Sequence, residues 1–468
     1  MPSMLARGIR SYHRPTRLEE ALTLAGQGIV PVAGGTRIFA ASREVPNVLD
    51  LSALSLGRLE MEDGDLRIGA MVSLQDLVDA PVAQAASAGL LPAAARAHSA
   101  SRMIRGMATV GGESVHGAHD SELVAALLAL NAIFEVALPA GPLESPALRF
   151  LKDPREDLGA GGLLQSLSIP GAPEGAALER VAVVPSAPAL VAVAVTISFA
   201  GEKCARARIA LAGLRTRPAR ILEAEARVEG SSGDEAAVQR CLDQIEARAP
   251  FRDDAHASAS YRGQAALVLT RRALVRAIAQ ARGAVPAAPS RPRPRPPVPL
   301  RLATELPYFT SGTVEMWANG ERRKAHAEAR TTLLDLLREQ GLRGVKHGCE
   351  TGECGACTVL LDGRPVLACL TLALRAEGRQ VQTVEGLGTP DALHPVQQAF
   401  VDTGAIQCGY CTPAMELCAK ALLDAVPRPT EDEVRDALAG CLCRCTGYVK
   451  PVEAVLRAAD AAEAPERP

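Results

Sequence analysis

The chain has 468 residues, a length that suggests about three domains rather than one compact core. Of these residues, 48% are apolar and 22% are charged, and the formal net charge of −2 provides no basic field for nucleic acid or acidic lipid. Aromatic residues make up only 3%, which disfavours the base-stacking surfaces of proteins that bind single-stranded nucleic acid.

Neither a secretory signal nor a membrane-spanning segment is evident in the sequence. The first residues lack an apolar run followed by a cleavage site. The longest apolar stretch, 181–199, contains prolines and many valines, which favours buried strands over the helix of about 20 apolar residues that a membrane span requires. We therefore expect a cytoplasmic protein without a membrane span.

Residues 1–281 alternate short apolar runs with Ala-rich segments of helical periodicity, which is the pattern of a mixed α/β fold. The predicted strands lie at 30–33, 66–70, 181–199 and 207–213. One helix is predicted to begin near residue 73, and two others are predicted at 121–132 and 261–282.

A linker is predicted at 282–310. Its first part, 282–300, has the sequence RGAVPAAPSRPRPRPPVPL. Because proline fixes φ and removes a backbone donor, this part cannot form a helix or a central strand, and we expect an extended, semi-rigid spacer. The Arg-Pro repeat leaves a docking sequence open as an alternative.

The pattern changes after the linker. Strands are predicted at 313–318, 358–361 and 366–369, a helix at 332–339, and turns at Asn319-Gly320 and Asp362-Gly363. From His394 onward the sequence is mainly helical, and Thr430 has the spacing of a helix capping box with Glu433.

The cysteines are concentrated in the last third of the chain. Ten of the twelve follow residue 348, and only Cys204 and Cys241 precede it. Disulfide frameworks belong to small secreted chains, so this clustering indicates bound metal. Cys204 and Cys241 are interpreted as ordinary core or surface thiols.

The first cysteine group has the spacing C-x4-C-x2-C-x11-C, which is typical of plant-type [2Fe-2S] ferredoxins. Its members are Cys349, Cys354, Cys357 and Cys369. Two bridged irons need four thiolates, and the glycines of the loop 344–357 allow the backbone to turn tightly around them. A four-cysteine zinc site uses the same ligands and stays open, although the glycines and the unequal spacing disfavour it.

The second group combines C-x2-C at the start of one predicted helix with C-x-C at the end of another. Its members are Cys408, Cys411, Cys443 and Cys445. A C-x-C pair is tight for one tetrahedral zinc ion and suits two ligands of a binuclear cluster, although zinc stays open from this group alone. Two further thiols are nearby: Cys418 is interpreted as a buried apolar filler, and Cys441 lies beside the ligands.

These cysteines and their flanking residues resemble the molybdenum hydroxylase family, which includes xanthine dehydrogenase, aldehyde oxidoreductase and carbon monoxide dehydrogenase. Residues 345–369, VKHGCETGECGACTVLLDGRPVLAC, resemble its ferredoxin-like domain, and QCGYCT at 407–412 with CRCTGY at 443–448 resembles its helical cluster domain. The resemblance implies two [2Fe-2S] clusters, one on a β-grasp domain at 311–386 and one on a four-helix domain at 387–460.

The N-terminal half is similar to the flavin subunit of the same family. The family's first flavin motif resembles AGGTD and reads AGGTR at 33–37, and its second resembles T-x-GGN and reads TVGGE at 109–113. The resemblance implies an α+β multidomain chain that starts with an FAD-binding α/β domain at 1–175 and an α+β flavoprotein subdomain at 176–281. Paired glycines suit FAD because they expose consecutive backbone amides to a pyrophosphate.

The resemblance also implies which residues contact a cofactor. Gln407 would face the molybdopterin of a partner subunit, and no catalytic residue is expected on this chain. The complete set is Val32, Ala33, Gly34, Gly35, Thr36, Arg37, Ile38, Thr109, Gly111, Gly112, Glu113, Glu122 and Gln407.

Several residues depart from the family's pattern. Arg37 and Glu122 stand where the family often has Asp, Glu113 replaces a neutral amide, and Cys441 stands where the family usually has Asn. A carboxylate about 4 Å from a phosphate costs about 4 kcal/mol at an effective dielectric constant of about 20. We hypothesise that Arg37 offsets this cost by pairing with Glu113 or with the phosphates.

The function implied by the resemblance is that of an oxidoreductase subunit most like xanthine dehydrogenase. Electrons would pass from a molybdopterin-binding large subunit through the second cysteine group and then the first to FAD, which passes them to an acceptor such as NAD. A hetero-oligomer is expected, since substrate oxidation would occur on the partner. Three alternatives stay open: an iron-sulfur carrier with a degenerate flavin site, a redox sensor, and a free-standing flavin oxidoreductase.

Overall fold

The computed structural model describes residues 8–40, 45–184, 187–284 and 305–461. Most of the Pro-rich part of the predicted linker lies outside these ranges. The described residues form four small sheets and the helices packed on them. No helix among them is both long enough and apolar enough to cross a bilayer.

A small sheet with a parallel centre carries the first glycine-rich loop. Its elements are β1 (Ser11–Arg14), α1 (Leu18–Gly26), β2 (Val30–Val32) and β3 (Asn47–Asp50). Both β1 and β2 run parallel to β3, and Val32 lies opposite Asp50. The loop after β2 therefore emerges at the carboxyl end of the sheet, where open parallel sheets bind their ligands.

A five-stranded antiparallel sheet with a group of helices carries the second glycine-rich loop. Its strand order is β4-β5-β8-β6-β7, and α7 is buried along its whole length. Serine or threonine side chains cap α2, α5, α6 and α7 and so fix where these helices begin. The elements are β4 (Leu59–Glu62), β5 (Asp65–Gly69), α2 (Leu74–Asp79), α3 (Pro81–Ala86), α4 (Leu90–His98), α5 (Arg102–Met107), α6 (Val110–His116), α7 (Glu122–Ala129), β6 (Ile133–Leu138), β7 (Gly141–Pro146), α8 (Ala147–Phe150), α9 (Pro154–Leu158) and β8 (Leu163–Ile169).

The next part is an antiparallel sheet of order β12-β11-β10-β9 packed against a long helix. The strand predicted at 181–199 is wrong in its first half, because one strand ends at Val181 and the next begins at Val191. Pro188, between them, lacks the amide that a strand ladder requires. The elements are β9 (Gly175–Val181), β10 (Val191–Ala200), β11 (Lys203–Ala212), β12 (Ala219–Arg220), α10 (Leu222–Glu225), α11 (Glu235–Arg248) and α12 (Ala259–Ala281).

A further strand, β13 (Leu306–Phe309), joins the two halves of the molecule. It pairs antiparallel with β1, which makes the order of the first sheet β13-β1-β3-β2. Assigning all of 282–310 to a linker is therefore wrong at its C-terminal end. Pro307 is tolerated because β13 is an edge strand with an irregular register.

The ferredoxin-like part is a mixed five-stranded sheet of order β15-β14-β18-β16-β17. The predicted turns are present, and Asn319, Gly320, Asp362 and Gly363 all have positive φ, as turns between twisted hairpin strands require. Cys369, predicted on a strand, lies on a 3-10 turn, Ala368–Leu370. The elements are β14 (Ser311–Ala318), β15 (Glu321–Glu328), α13 (Leu333–Glu339), β16 (Thr358–Leu361), β17 (Arg364–Leu367) and β18 (Gln380–Gln382).

The last part consists of helices. They are α14 (Pro395–Asp402), α15 (Thr412–Ala425), α16 (Glu431–Leu438) and α17 (Val449–Ala461). The predicted capping box between Thr430 and Glu433 is present at the start of α16. Cys443 and Cys445, predicted at the end of a helix, lie instead in the loop between α16 and α17.

One hydrophobic core continues from the first sheet into both cysteine-bearing parts. It includes Tyr12 and Val48 of the first sheet, Leu333 of the ferredoxin-like part, and Phe400 and Val455 of the helical part. The second glycine-rich part and the sheet that follows it have their own cores. The first sheet and both cysteine-bearing parts therefore bury apolar surface together.

Candidate cofactor sites

The first cysteine group lies on the loop between α13 and β16 and on the 3-10 turn after β17. The amides of Thr351 and Cys354 both donate to the Cys349 sulfur at 3.4 Å. Gly352 and Gly355 have φ values of +83° and +70°, which side chains rarely adopt. The loop therefore wraps backbone donors around the thiols, as a cluster with negatively charged sulfurs requires.

Hydrogen bonds between thiols join Cys349 to Cys354 and Cys357 to Cys369, and the charge of Cys349 also acts on the second pair. Burial raises the pKa of Cys349, but hydrogen bonds from Thr351 and Cys354 outweigh burial and bring this pKa to about 7. The hydrogen bond with Cys357 and burial together raise the pKa of Cys369. Two pairs suit two irons that take two thiolates each, whereas a zinc ion needs its ligands around one point.

The second group repeats this arrangement, with Cys411 next to Cys443 and Cys408 next to Cys445. Burial and the neighbouring Cys443 raise the pKa of Cys411 to about 12. Cys408 and Cys445 are exposed, whereas Cys411 is buried at the start of α15. Among the described residues, no group of three or more His, Cys, Asp or Glu is arranged to hold a single metal ion. The paired thiols fit a binuclear cluster in this group as well.

The loops of the two cysteine groups touch each other directly. The amide of Leu442 donates to the carbonyl of Cys354 at 2.9 Å. A Cβ at Gly355 would overlap the carbonyl of Gly440, so only glycine permits this approach. The buried thiols of Cys418, on α15, and Cys441, in the loop after α16, lie 3.7 Å apart, consistent with the filler interpretation of Cys418.

The two glycine-rich loops lie side by side, but they differ in what they offer a ligand. The first loop, 33–38, follows β2, and a Cβ at Gly112 of the second loop would lie 3.9 Å from Ala33. In the second loop, the amides of Gly111 and Gly112 donate to the carbonyl of Ala70 and to the Thr109 hydroxyl, at 2.9 and 3.0 Å. The expectation that both loops expose consecutive amides is therefore not met in the second loop, whose glycines serve close packing.

Charged residues surround these loops. Arg37 and Glu113 form the hypothesised pair, with Nη2 and Oε2 3.5 Å apart, and His98 Nδ1 is 3.8 Å from Glu113 Oε1. Burial raises the pKa of Glu113, but His98 and Arg37 outweigh it and hold this pKa below its ordinary value. Burial also lowers the pKa of His98 and so favours the neutral imidazole. Arg37 is therefore positively charged over a wider pH range than His98.

A cavity of ≈160 Å³ opens beside the first loop. Its lining residues are Thr36, Arg37, His98, Ser99, Ile104, Asp120, Ser121, Glu122 and Pro188. Glu122 accepts a hydrogen bond from Arg180 at 2.9 Å, and burial raises the pKa of Glu122 to about 7 even though Arg180 opposes the shift. Arg180 therefore reaches the cavity through Glu122.

The chemistry of this lining fits part of an FAD molecule. Arg37 and the backbone of the first loop can meet phosphate oxygens, while Glu122 and Asp120 can accept from hydroxyl or N–H groups. Glu113 Oε1 is buried and has no hydrogen-bond partner among the described residues. The cavity is smaller than the roughly 300–1,000 Å³ typical of cofactor pockets, so it accommodates only a portion of the cofactor.

Sequence reasoning missed several polar residues in and around this site. His98 and Asp120 line the cavity, and the Arg217 guanidinium donates to the carbonyl of Ser114 on α6 at 2.9 Å. No motif signals them, because each is an isolated polar residue that tertiary packing brings to the loops.

The fold and the paired thiols together define an iron-sulfur flavoprotein, and family models match each of its parts. The FAD binding domain in molybdopterin dehydrogenase matches residues 7–172, and the CO dehydrogenase flavoprotein C-terminal domain matches 184–277. The 2Fe-2S iron-sulfur cluster binding domain matches 318–381, and the [2Fe-2S] binding domain matches 383–456.

Individual proteins are also similar to this chain. The small subunit of nicotine 6-hydroxylase from Paenarthrobacter nicotinovorans is 52% identical over 146 residues, which are 31% of this chain and 88% of that protein. The iron-sulfur-binding subunit of xanthine dehydrogenase from Escherichia coli O157:H7 is 50% identical over 147 residues, which are 31% of this chain and 92% of that protein. A chain of the carbon monoxide dehydrogenase structure from Hydrogenophaga pseudoflava superposes with a TM-score of 0.56 at 26% identity, covering 60% of this chain and 99% of that chain.

The chain belongs to the molybdenum hydroxylase family. Within that family it is an electron-transfer subunit that combines an FAD-binding domain, a flavoprotein C-terminal domain and two [2Fe-2S] domains. The predicted fold class is confirmed, and the matched FAD-binding domain and two [2Fe-2S]-binding domains agree with the predicted cofactors, FAD and two [2Fe-2S] clusters.

Proposed function

We propose that this chain carries electrons from a molybdopterin-binding partner subunit through the second and then the first cysteine group to FAD, and on to an acceptor such as NAD. The observation that carries the proposal is an unbroken series of loop contacts. Leu442, beside the second group, donates to Cys354 of the first group. Leu370, next to Cys369, lies against Gly35 of the first glycine-rich loop, which we call the first flavin loop. The Leu370 carbonyl is 3.7 Å from the position that a Cβ on Gly35 would take.

The eight paired cysteines would hold the clusters, which supply one-electron transfer when bound. FAD supplies the change from single electrons to a two-electron product. The protein's part is to keep the thiols in pairs and to direct the amides of Thr351 and Cys354 at the Cys349 sulfur.

The surface around the second cysteine group supports docking of the partner there. Cys408 and Cys445 are exposed, and Gln407 is exposed beside them. The apolar side chains around these thiols are also open to solvent: Ile406 by 39%, Tyr410 by 47%, Leu442 by 58% and Val449 by 68%. Apolar surface of this kind marks an interaction site, and a partner would cover it in a hetero-oligomer.

The substrate would be oxidised on the partner. Some similar proteins are named for aldehydes or carbon monoxide. Others, including those at 50% identity or more, are named for nicotine, nicotinate, xanthine and quinoline, all of which are nitrogen heterocycles. We propose a heterocycle of this class, in a complex most like xanthine dehydrogenase. A cytoplasmic location is part of the proposal, because thiols that hold iron must stay reduced.

The test is the iron and flavin content of the purified full-length chain, together with its visible and electron paramagnetic resonance spectra. We expect about four irons in two distinct [2Fe-2S] signals and one FAD per chain. Cys349→Ser should lose about half of the iron, whereas Cys418→Ser, a buried thiol outside both groups, should keep it. Bound zinc in place of iron, or equal iron in both variants, would refute the proposed relay.

A second candidate function is an iron-sulfur carrier whose flavin site has been lost. The buried carboxylate of Glu113 beside both flavin loops favours it. Four irons without any flavin, after purification with added FAD, would establish this alternative in place of the full relay.

A further inference from the structure

A buried ion pair crosses the boundary between the ferredoxin-like domain and the flavin domain. Arg375 lies on the 3-10 turn Ala373–Ala376 of the former, and Asp50 ends β3 of the latter. Arg375 Nε and Nη2 donate to Asp50 Oδ2 and Oδ1, both at 2.8 Å. The side chains of Arg375 and Asp50 are 11% and 0% exposed. Parallel hydrogen bonds of this kind fix both orientation and distance.

Further hydrogen bonds fix the Asp50 carboxylate in place. It accepts a hydrogen bond from the Tyr12 hydroxyl and one from the Ser52 amide, at 2.5 and 2.9 Å. Burial raises the pKa of Asp50, but the charge of Arg375 and the hydrogen bonds from Arg375, Tyr12 and Ser52 together outweigh burial and hold this pKa below its ordinary value. Arg14 crosses the same boundary and donates to the carbonyl of Leu374 at 2.7 Å. Asp50 therefore stays ionised and anchors Arg375.

Arg375 makes a third contact, and this one reaches the flavin site. Its Nη2 also donates to the carbonyl of Ala33, the first residue of the AGGTR loop. Val32, just before that loop, lies opposite Asp50 in the sheet. One guanidinium thus holds the end of β3 and the beginning of the flavin loop at the same time.

Two further contacts press the same loop against the ferredoxin-like domain. The Leu370 carbonyl lies against Gly35, as described above. On the other side, the Met107 carbonyl lies where a Cβ on Gly34 would be, while the Met107 sulfur accepts from the Leu367 amide at 3.3 Å. The first flavin loop therefore contacts Leu370 directly and Leu367 through Met107, and these two leucines flank the candidate ligand Cys369.

We propose that Arg375 is a positioning residue for the flavin site. By holding the carbonyl of Ala33, it keeps the AGGTR loop in the conformation that accepts FAD, so that flavin affinity depends on the docked ferredoxin-like domain. This inference rests on the proposed binding of FAD at this loop. It assigns a flavin-binding role to a residue that lies outside the two domains matched as flavoprotein.

Lysine cannot replace arginine in this role. An ammonium group retains the charge opposite Asp50, but it is a compact donor without the planar fork that reaches both carboxylate oxygens and a carbonyl together. Arg375→Lys should therefore preserve the ion pair while releasing the Ala33 carbonyl.

The experiment titrates FAD into the deflavinated full-length chain and follows the quenching of flavin fluorescence. We expect Arg375→Lys to bind FAD about tenfold more weakly, in keeping with the loss of one hydrogen bond from a charged donor. The iron content and the [2Fe-2S] spectra should stay as in the wild type. The control is Arg323→Lys, which alters a guanidinium that donates to the Glu321 carboxylate at 3.0 Å and to the Gln340 carbonyl at 3.3 Å, both inside the ferredoxin-like domain, and it should leave FAD affinity unchanged.

The outcomes separate this inference from the function on which it rests. If the wild type takes up no FAD, the proposed flavin step itself fails. If the wild type takes up FAD and Arg375→Lys binds it equally well, or if Arg323→Lys weakens binding as much, the positioning role is refuted. If Arg375→Lys loses its iron, Asp50→Asn tests the same contact without a change in the cluster domain, and it too should weaken FAD binding while keeping the iron.

Discussion

Glu113 brings a buried negative charge to a site that is expected to bind a negatively charged cofactor. Its side chain is 2% exposed, and the paired Arg37 side chain is 47% exposed. Both residues depart from the family's flavin motifs, and they depart with opposite charge. We therefore interpret the pair as one compensated change, in which the positive charge of Arg37 balances the negative charge that Glu113 adds.

This interpretation predicts the effect of reversing the charge of Arg37. Arg37→Asp would place a second carboxylate beside Glu113 and beside the phosphates, so we expect FAD to bind at least about tenfold more weakly. Flavin fluorescence titration measures the change. The double variant Arg37→Asp with Glu113→Asn restores the family's own pairing and should recover most of the lost affinity. Unchanged affinity in Arg37→Asp would contradict the compensation.

Single residues also mark the limit of what the sequence could predict. The pairing of Arg37 with Glu113 was predictable, because both lie in recognisable loops. His98, Asp120 and Arg375 were not, because no local spacing connects them to those loops. The contact between Arg375 and Ala33 spans 342 residues, and only the packing of two domains reveals it.

Helix α15 shows how one element serves both a cofactor site and the core. Cys411 precedes its first residue, and its buried face includes Met415, Glu416 and Cys418. Glu416 is 4% exposed. Burial raises the pKa of Glu416 to about 7 from its ordinary value of 4.5, with a hydrogen bond from Gln397 opposing the shift. A carboxyl that prefers its neutral form is thus built into the second cluster domain.

The raised pKa of Glu416 makes stability depend on pH. Between the unfolded value of 4.5 and the folded value of about 7, the folded state binds more protons than the unfolded state. The free energy of unfolding therefore falls as pH rises through this window, by at most about 3 kcal/mol. Glu416→Gln keeps a neutral hydrogen-bonding group and should raise the thermal midpoint at pH 8 more than at pH 5. The exposed Glu431→Gln on α16 serves as the control, and an equal shift at both pH values would contradict the prediction.

At the scale of elements, local signals predicted structure well and long-range pairing poorly. The turn at Asp362-Gly363 and the capping box at Thr430 were predictable because a few adjacent residues determine them. The end of β9 at Val181 and the start of β10 at Val191 were missed because the apolar pattern continues across Pro188. Strand β13 was missed because its pairing partner lies at the other end of the chain.

The whole molecule is held together by more than its covalent linker. The first sheet shares a hydrophobic core with both cluster domains, β13 pairs with β1, and Arg375 is bonded to Asp50. These contacts are buried, so salt screens them little. We therefore expect the buried interface, more than the linker, to hold the sites together.

This arrangement predicts the outcome of cutting the linker. A protease site inserted between residues 290 and 300 should allow cleavage of the purified protein, and both fragments should still elute together in size-exclusion chromatography. We expect co-elution to persist in 1 M salt, since the Debye length of about 3 Å affects exposed charges most. Uncleaved protein is the control for elution position. Separation of the fragments in dilute buffer would mean that the linker, and not the interface, holds the halves together.

Strand β13 has a consequence for how the protein is made. It covers the outer edge of β1, and an uncovered strand edge is a template for pairing with other chains. On a ribosome, β1 emerges roughly 300 residues before β13, which corresponds to about 15–60 s at a synthesis rate of about 5–20 residues per second. During that interval the edge of β1 in the nascent flavin domain is not covered by β13. We therefore expect the last third of the chain to have two roles: it carries the cluster ligands, and it covers a strand edge of the first third that would otherwise promote aggregation.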